Sequence, residues 1–349
     1  MLMNSLMGQA VVRGLQGTSA GINGCQTGNK YLKLLACAKH FAVHSGPEKT
    51  RHSLDITTLS PRDLHETYLP AFQDLVTKSG VAEVMCAYQR FEVEPCFVIN
   101  KLLQQILRND WGFKGLVVSD CGAISDFWRE GRHHIVSTPS EAAAKGVIAG
   151  TDVECGSEYR TLDDAVKAGF ITEEQINTSG LRLLELRFLI GEMDDDSLVE
   201  WTKIPMSVVN CKKHRELARE AARQSVVLLK NNGTLPLSSS AGNKRIMLMG
   251  PNAADSIMLW GIYYGQTPHS VTIKEGIENK IGSVAYNKGC ELTTLTLDRS
   301  IFSSLTTIDG GPGIEASYWN NEQMQGEPLQ TKVYNSPLSF DGGGDTAFE

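Results

Sequence analysis

The sequence predicts an α/β fold, a parallel barrel or a doubly wound sheet, on three observations. Short apolar runs stop abruptly at polar or ionisable groups, segments of helical period separate those runs, and every polar exit lies at the same end of its run. That alternation is the pattern of parallel strands joined by covering helices, with chemistry gathered at the strands' C-terminal ends.

The 349-residue chain begins with Met7, Val11, Val12 and Leu15 on one helical face, closed by Gly14 and Gly17, which predicts a helix packed through that stripe. A loop rich in Gly, Ser, Thr and Asn follows over 17–29. Leu34-Leu35-Ala36-Cys37-Ala38 forms the first strand and ends at Lys39-His40. Ser60 with Asp63, and Pro61 at the first helical position, start a helix whose inward residues are Leu64, Tyr68, Phe72, Leu75 and Val76 and whose end is Gly80. The second strand, over 81–88, carries Met85 and Tyr88 at its exit. Asn100 opens a helix with Leu102, Leu103, Ile106 and Leu107 inward.

The third strand, Leu116-Val117-Val118, is bracketed by Gly112 and Gly115 and runs out at Asp120, before Gly122 and Ala123. Asp120 is either an acid delivered by a buried strand or the cap of a helix beginning near Ile124. Residues 142–148 are helical, Thr151-Asp152-Val153-Glu154 is a fourth strand, and Thr172 with Gln175 makes a capping box for a helix through Leu189. A closed barrel needs about eight strands, so four candidates predict that part of the barrel lies outside this chain.

The acidic stretch 191–209 reads as a linker. Asn210 opens a helix that is strongest over 217–229, and Arg245-Ile-Met-Leu-Met-Gly250 is a buried strand beginning a second α/β unit over 210–310. Within 311–349, Ile314-Glu-Ala-Ser-Tyr-Trp319 and Thr331-Lys-Val-Tyr334 alternate as strands. The chain stops at Glu349 with no closing strand, which predicts truncation there as well.

With 41% hydrophobic and 21% charged residues the composition is that of a globular protein, and no stretch approaches an uninterrupted membrane span. The N-terminus lacks the basic flank and cleavage site of a signal peptide. A net charge of −7 argues against a nucleic-acid partner. Eight cysteines without C-x-x-C spacing argue against zinc ribbons and redox motifs and suggest no disulfide framework; Cys37, Cys86 and Cys121 read as small buried hydrophobes.

Lys39 and His40, being adjacent, would face opposite sides of a strand unless the backbone bends there. Three readings compete at this pair: a Schiff-base lysine, a His40–His44 metal pair that Gly46-Pro47 disfavours by breaking helix, and a lysine and a histidine simply solvated at a loop. Asp152 and Glu154 at the fourth strand are secondary catalytic candidates, since acids so placed are more often salt-bridge partners.

Together, Ala38-Lys-His-Phe-Ala-Val-His-Ser-Gly-Pro47, Val84-Met-Cys-Ala-Tyr88, Gly112-Phe-Lys-Gly-Leu-Val-Val-Ser-Asp120 and Ala149-Gly-Thr-Asp-Val-Glu-Cys-Gly156 resemble glycoside hydrolase family 3, on its β-xylosidase and β-glucosidase branch. Arg219-Glu-Ala-Ala-Arg-Gln-Ser-Val-Val-Leu-Leu-Lys-Asn-Asn232 is similar to the start of that family's second domain. The resemblance implies an incomplete (β/α)8 TIM-type barrel over 1–190, the first part of an α/β sandwich over 210–310, and the beginning of an inserted protective-antigen-type β-sandwich over 311–349, the plain alternative for the last being a β-rich loop. It makes Asp120 the nucleophile of a retaining exo-acting glycosidase, with Lys39, His40, Met85 and Tyr88 binding the terminal sugar of an oligosaccharide or glycoside, and it requires no cofactor or metal. No glutamate here matches the family's acid/base motif, so the chain alone is expected to be inactive. The resemblance further suggests a periplasmic or secreted location. An aldolase-like lyase acting through Lys39 and a non-catalytic carbohydrate-binding protein are the rival readings.

Overall fold

The computed structural model describes residues 2–17, 30–92, 94–96, 100–237, 246–261, 267–290, 305–307, 309–321 and 323–335. Most of the predicted loop 17–29, Arg245 and the C-terminal stretch 336–349 lie outside them. Contacts divide the chain into two compact units, Met1–Gln224 and Ser225–Glu349.

The first unit opens with α1 (Leu2–Gln16), whose buried face shares only Val12 with the predicted stripe. Ser5, Gln9, Val12 and Gln16 point inward, while Met7, Val11 and Leu15 are exposed. Polar pairing sets that choice. Gln16 lies across the start of two strands, accepting from the N–H groups of Ala82 and Ala36 and donating to the Gly80 carbonyl, and Ser5 donates to Asp74. Left unpaired in a buried place, those backbone groups would each cost about 1–3 kcal/mol.

Strand β1 (Cys37–Phe41) begins later than the apolar run, because the Ala36 N–H is taken by Gln16 and pairing with the next strand starts at Cys37 opposite Glu83. Lys39 and His40 are therefore inside the strand, not beyond it. After the short β2 (Asp55–Ile56), Ser60 accepts from the Asp63 N–H and starts α2 (Pro61–Asp63), as its motif predicts. The helix widens to a π-type turn over Leu64–Tyr68 and resumes as α3 (Pro70–Ser79), capped by Gly80. Pro70 supplies no N–H and so interrupts the regular ladder at that junction.

β3 (Glu83–Cys86) leads to β4 (Arg90–Phe91) and β5 (Glu94–Pro95), which with β2 form a small separate sheet that the sequence pattern did not reveal. The π-type helix Lys101–Asp110 buries Leu102, Leu103, Ile106 and Leu107, the four predicted positions. β6 (Leu116–Val118) then joins the central sheet, whose order β1-β3-β6 is parallel throughout, with Val118 bridging in parallel to Val153. Gly115 is needed here because a Cβ would overlap the Ala82 carbonyl of the neighbouring strand. Helices α4 (Pro139–Ala149), α5 (Leu162–Lys167) and α6 (Glu173–Leu189) follow; α4 carries a Thr138–Glu141 capping box and α6 the predicted Thr172–Gln175 box.

The acidic stretch after α6 is folded, not extended. It forms three 3-10 turns, buries Val199, and Trp201 donates from Nε1 to the Tyr31 carbonyl at 3.0 Å. Helix α7 (Lys212–Ser225) stops short of the predicted 229. It has no buried residue, so nothing offsets the helix cost of the β-branched Val226 and Val227, which are exposed with Leu228 and Leu229.

In the second unit, β7 (Met247–Met249), α8 (Ile273–Ile281) and β8 (Ala285–Asn287) form a parallel βαβ unit. β7 is more open than its apolar sequence predicts: Met247 and Met249 are exposed, because among the described residues β8 is its one partner strand. β9 (Ile314–Tyr318) and β10 (Gln330–Tyr334) pair antiparallel, at the two segments that alternate in sequence. Among the described residues no helix is long and apolar enough to cross a membrane.

Candidate active site

The exits of β1, β3 and β6 lie side by side, since Lys39 pairs with Met85 and Met85 with Val118. Two residues beyond Val118, the Asp120 carboxylate is buried, its Oδ1 accepting from the Cys121 N–H at 2.8 Å and its Oδ2 lying 3.2 Å from His40 Nε2. It caps no helix. The following 3-10 turn, Ile124–Phe127, begins after Ala123 without a side-chain cap, which removes the alternative reading of Asp120.

A register shift between Lys39 and Phe41 solves the problem of adjacent side chains on a strand. The irregularity turns His40 so that it lines, with Lys39, Val43 and His44, one cleft of about 360 Å³ whose far wall is Tyr68, Phe72 and Leu75. Burial pulls the His40 imidazole below its ordinary value; Asp120 opposes this, while Lys39, His44 and Arg51 reinforce it.

Tyr88 is buried beside the pair and donates from its hydroxyl to the Cys121 carbonyl at 2.7 Å. Burial, then the Asp120 charge, push its phenol upward, so it stays a neutral donor. Met85 is half-buried at the strand exit between Lys39 and Val118. Sequence reasoning missed the group that holds Tyr88. The Arg51 guanidinium lies 4.8 Å from the Tyr88 ring centre, His52 meets the same ring edge-on at 4.4 Å, and His52 Nδ1 contacts Asp126 at 2.7 Å. His133 reaches the Tyr88 carbonyl at 2.7 Å.

Asp152 sits in the same strand layer with both oxygens occupied. Oδ2 accepts from Arg108 (2.7 Å) and the Val117 N–H (2.9 Å), and Oδ1 from Arg182 (2.6 Å) and Ser179 (3.0 Å). This is a buried salt bridge, the structural reading of that acid. Glu154 folds back on its own loop, accepting from the Glu158 and Tyr159 N–H groups. His44 contacts Gln89 Oε1 through Nδ1 at 3.0 Å, and its ring centre lies 4.9 Å from that of His40. Among the described residues no group of three or more His, Cys, Asp or Glu is placed to hold a metal.

Cys121 is not a buried hydrophobe: it is exposed and disulfide-bonded to Cys155, 34 residues on. Sequence spacing could not show this, because the two cysteines meet only when the exits of β6 and the 151–154 segment become neighbours. The bond ties the loop after Asp120 to the loop after Val153, where the predicted fourth strand over 151–154 is reduced to a single bridge to Val118. Cys86 is buried as predicted, whereas Cys37 is only half-buried. Cys155→Ser, or reduction, is expected to cost about 2–4 kcal/mol of stability and to slow turnover about tenfold. Denaturant melts and kcat measured with and without reductant check this.

The sequence matches the profile of the Glycosyl hydrolase family 3 N terminal domain over residues 3–186 and that of the family 3 C-terminal domain over 226–335. It is 45% identical over 350 residues to the xylan 1,4-beta-xylosidase of Xylanibacter ruminicola, covering 99% of this chain and 39% of that protein. To beta-D-xylosidase 1 of Arabidopsis thaliana it is 32% identical over 286 residues, 80% of this chain and 35% of the relative. Among solved structures, the GH3 exo-beta-xylosidase XlnD in complex with a xylobiose aziridine activity-based probe superposes with a TM-score of 0.75 at 29% identity, covering 83% of this chain and 37% of that one. The beta-glucosidase of Listeria innocua gives 0.70 at 27% identity, over 85% and 40%. The chain thus spans roughly two fifths of the length of these relatives.

A strand-exit carboxylate in a TIM-barrel-like α/β unit, with these matches, places the chain in the class of glycoside hydrolases. Within that class it belongs to glycosyl hydrolase family 3.

Proposed function

We propose that the full-length gene product is a retaining, exo-acting β-glycosidase that forms a glycosyl-enzyme on Asp120 and releases a terminal xylose or glucose. The observation that carries this reading is the Asp120 carboxylate, buried at a parallel strand's exit and held by the Cys121 N–H and His40 with Tyr88 alongside. Such a group is oriented for attack on an anomeric carbon, while Lys39 and His40 in the adjoining cleft are placed for sugar hydroxyls. Proton donation to the leaving oxygen falls to a carboxylic acid that we assign to no residue of this stretch. Similarity to the two xylosidases supports xylose over glucose. We read the first unit as part of a (β/α)8 barrel, the βαβ unit as part of an α/β sandwich, and the β9–β10 hairpin as the beginning of an inserted β-sandwich.

Proton NMR of the first-formed product tests the reaction class. The β-anomer is expected; initial release of the α-anomer would mean single-displacement inversion and sink the covalent reading. Lys39→Ala and His40→Ala are each expected to lower kcat/KM about 10²-fold, since hydroxyl contacts strengthen toward the transition state. Chelators and borohydride should leave the rate unchanged, and irreversible inactivation by borohydride with a carbonyl substrate would favour an imine on Lys39 instead.

A further inference from the structure

Tyr88 is fixed at its hydroxyl, its carbonyl and its ring. The hydroxyl donates to the Cys121 carbonyl at 2.7 Å, the carbonyl accepts from His133 Nε2 at 2.7 Å, and the ring is met by His52 and Arg51. The last two anchors lead back to Asp126, a buried acid with no role in the reaction derived above. Its Oδ2 lies 2.7 Å from His52 Nδ1 and its Oδ1 3.5 Å from Arg132, while its main-chain carbonyl accepts from the His133 N–H at 2.9 Å. Asp126 in turn belongs to the turn Ile124–Phe127 that continues the Asp120 loop. Its N–H donates to the Ala123 carbonyl at 3.2 Å, and the Ala123 N–H donates to the Asp120 carbonyl at 3.1 Å.

His52 is the side chain that joins this acid to the Tyr88 ring, and it has a partner on each ring nitrogen. Arg51 Nε donates to His52 Nε2 at 3.1 Å. A guanidinium has donors and no acceptor, so Nε2 must present its lone pair to it. The ring hydrogen therefore sits on Nδ1 and donates to Asp126 Oδ2. Held from both sides, the imidazole has one tautomer and one orientation, with its centre 4.4 Å from that of Tyr88 and the two planes at 60°. Arg51 is itself tethered, its guanidinium paired with Glu48 at 2.8 Å and lying 4.8 Å from the centre of the same phenol ring.

We propose that His52, locked as the Nδ1–H tautomer between Arg51 and Asp126, is a positioning residue for Tyr88, setting where the Tyr88 hydroxyl stands beside Asp120 and so how the terminal sugar is held for attack. The proposal rests on Tyr88 lining the sugar subsite of the reading above. His52 acts through the phenol ring. An apolar ring in its place would supply packing, but only the two directional hydrogen bonds tie the orientation of that ring to the segment carrying Asp120. A displacement of about an ångström at a reacting centre is enough to cost up to about 10²-fold in rate, so a contact one residue removed from the sugar has a kinetic consequence.

The test uses the full-length gene product and compares wild type with His52→Phe, His52→Asn, Tyr88→Phe and the double variant His52→Phe/Tyr88→Phe, by kcat/KM on a nitrophenyl β-xyloside and by melting temperature. His52→Phe keeps a ring of similar size and removes both polar links, and it should lower kcat/KM about tenfold. His52→Asn places an amide N–H near the position of Nδ1–H, keeps the bond to Asp126, and should remain within about threefold of wild type. Once the Tyr88 hydroxyl is gone there is nothing left for His52 to place, so His52→Phe should cost less than about twofold in the Tyr88→Phe background. A His52→Phe variant as active as wild type would overturn the proposal, leaving the histidine as packing. Equal losses in His52→Phe and His52→Asn would overturn it too, as would a His52→Phe loss of the same size in both backgrounds, the mark of a general structural defect that the melting temperatures would also show. Should Tyr88→Phe itself leave kcat/KM unchanged, the sugar-subsite reading of Tyr88 fails and the role of His52 falls with it; a loss in Tyr88→Phe without the non-additivity would sink the His52 role alone.

Discussion

Asp120→Ala in the full-length gene product is expected to lower kcat by about 10⁴-fold or more, with the protein still folded. The side chain meets the Cys121 N–H, the partly solvated His40 and the Tyr88 hydroxyl, and Tyr88 keeps its bond to the Cys121 carbonyl when the carboxylate is removed. On the proposed mechanism, what is lost is the covalent intermediate, and with it the route that divides one high barrier into two lower ones. Circular dichroism and melting should match wild type. Added azide should restore turnover of an activated β-glycoside and yield the α-glycosyl azide, because the small anion enters the space the carboxylate vacates. A variant that keeps more than about a tenth of wild-type kcat would mean that Asp120 is not the attacking group.

The largest effect on stability is expected at Asp152. Asp152→Ala should destabilise the first unit by about 3–5 kcal/mol. The cost comes from what remains: Arg108, with 8% of its side chain exposed, loses the carboxylate that compensates its charge, and Arg182 and Ser179 lose the same acceptor. Burial already pulls the Arg108 guanidinium below its ordinary value, with Asp152 opposing that pull. Urea titration of the Ala variant checks the magnitude. A loss under about 1 kcal/mol would mean that water reaches Arg108 and that the pair is only a surface contact.

These two acids illustrate what one-dimensional pattern conveys. Asp120 stands at the end of an apolar run and Asp152 within the short 151–154 segment, so sequence places both near strand exits. Their different surroundings depend on partners from 108 and 182 in one case and from position 40 in the other, which no local signal encodes. The three strands of the central sheet, the helix starts at Ser60 and Thr172 and the inward set Leu102, Leu103, Ile106 and Leu107 were legible because periodicity and capping are local properties.

Features that depend on long-range pairing were not legible. The bend that brings Lys39 and His40 to one cleft is a register shift against β3, and the Cys121–Cys155 bond needs two strand exits to be neighbours. Helix α1 is rotated from its expected face, keeping only Val12 inward, because Gln16 satisfies strand amides from two separate segments. The Arg51–His52–Asp126 group around Tyr88 was hidden for the same reason, its members being drawn from positions 74 residues apart.

Trapping the reaction intermediate tests the central assignment most directly. The full-length gene product, incubated with a 2-deoxy-2-fluoro-β-xylosyl or β-glucosyl donor bearing a good leaving group, should gain the mass of one fluorosugar and lose activity in step. Proteolysis and tandem mass spectrometry should then place the sugar on Asp120, within the peptide that follows Leu116-Val117-Val118. A fluorosugar ester on any other carboxylate, or on Lys39, would contradict the assignment.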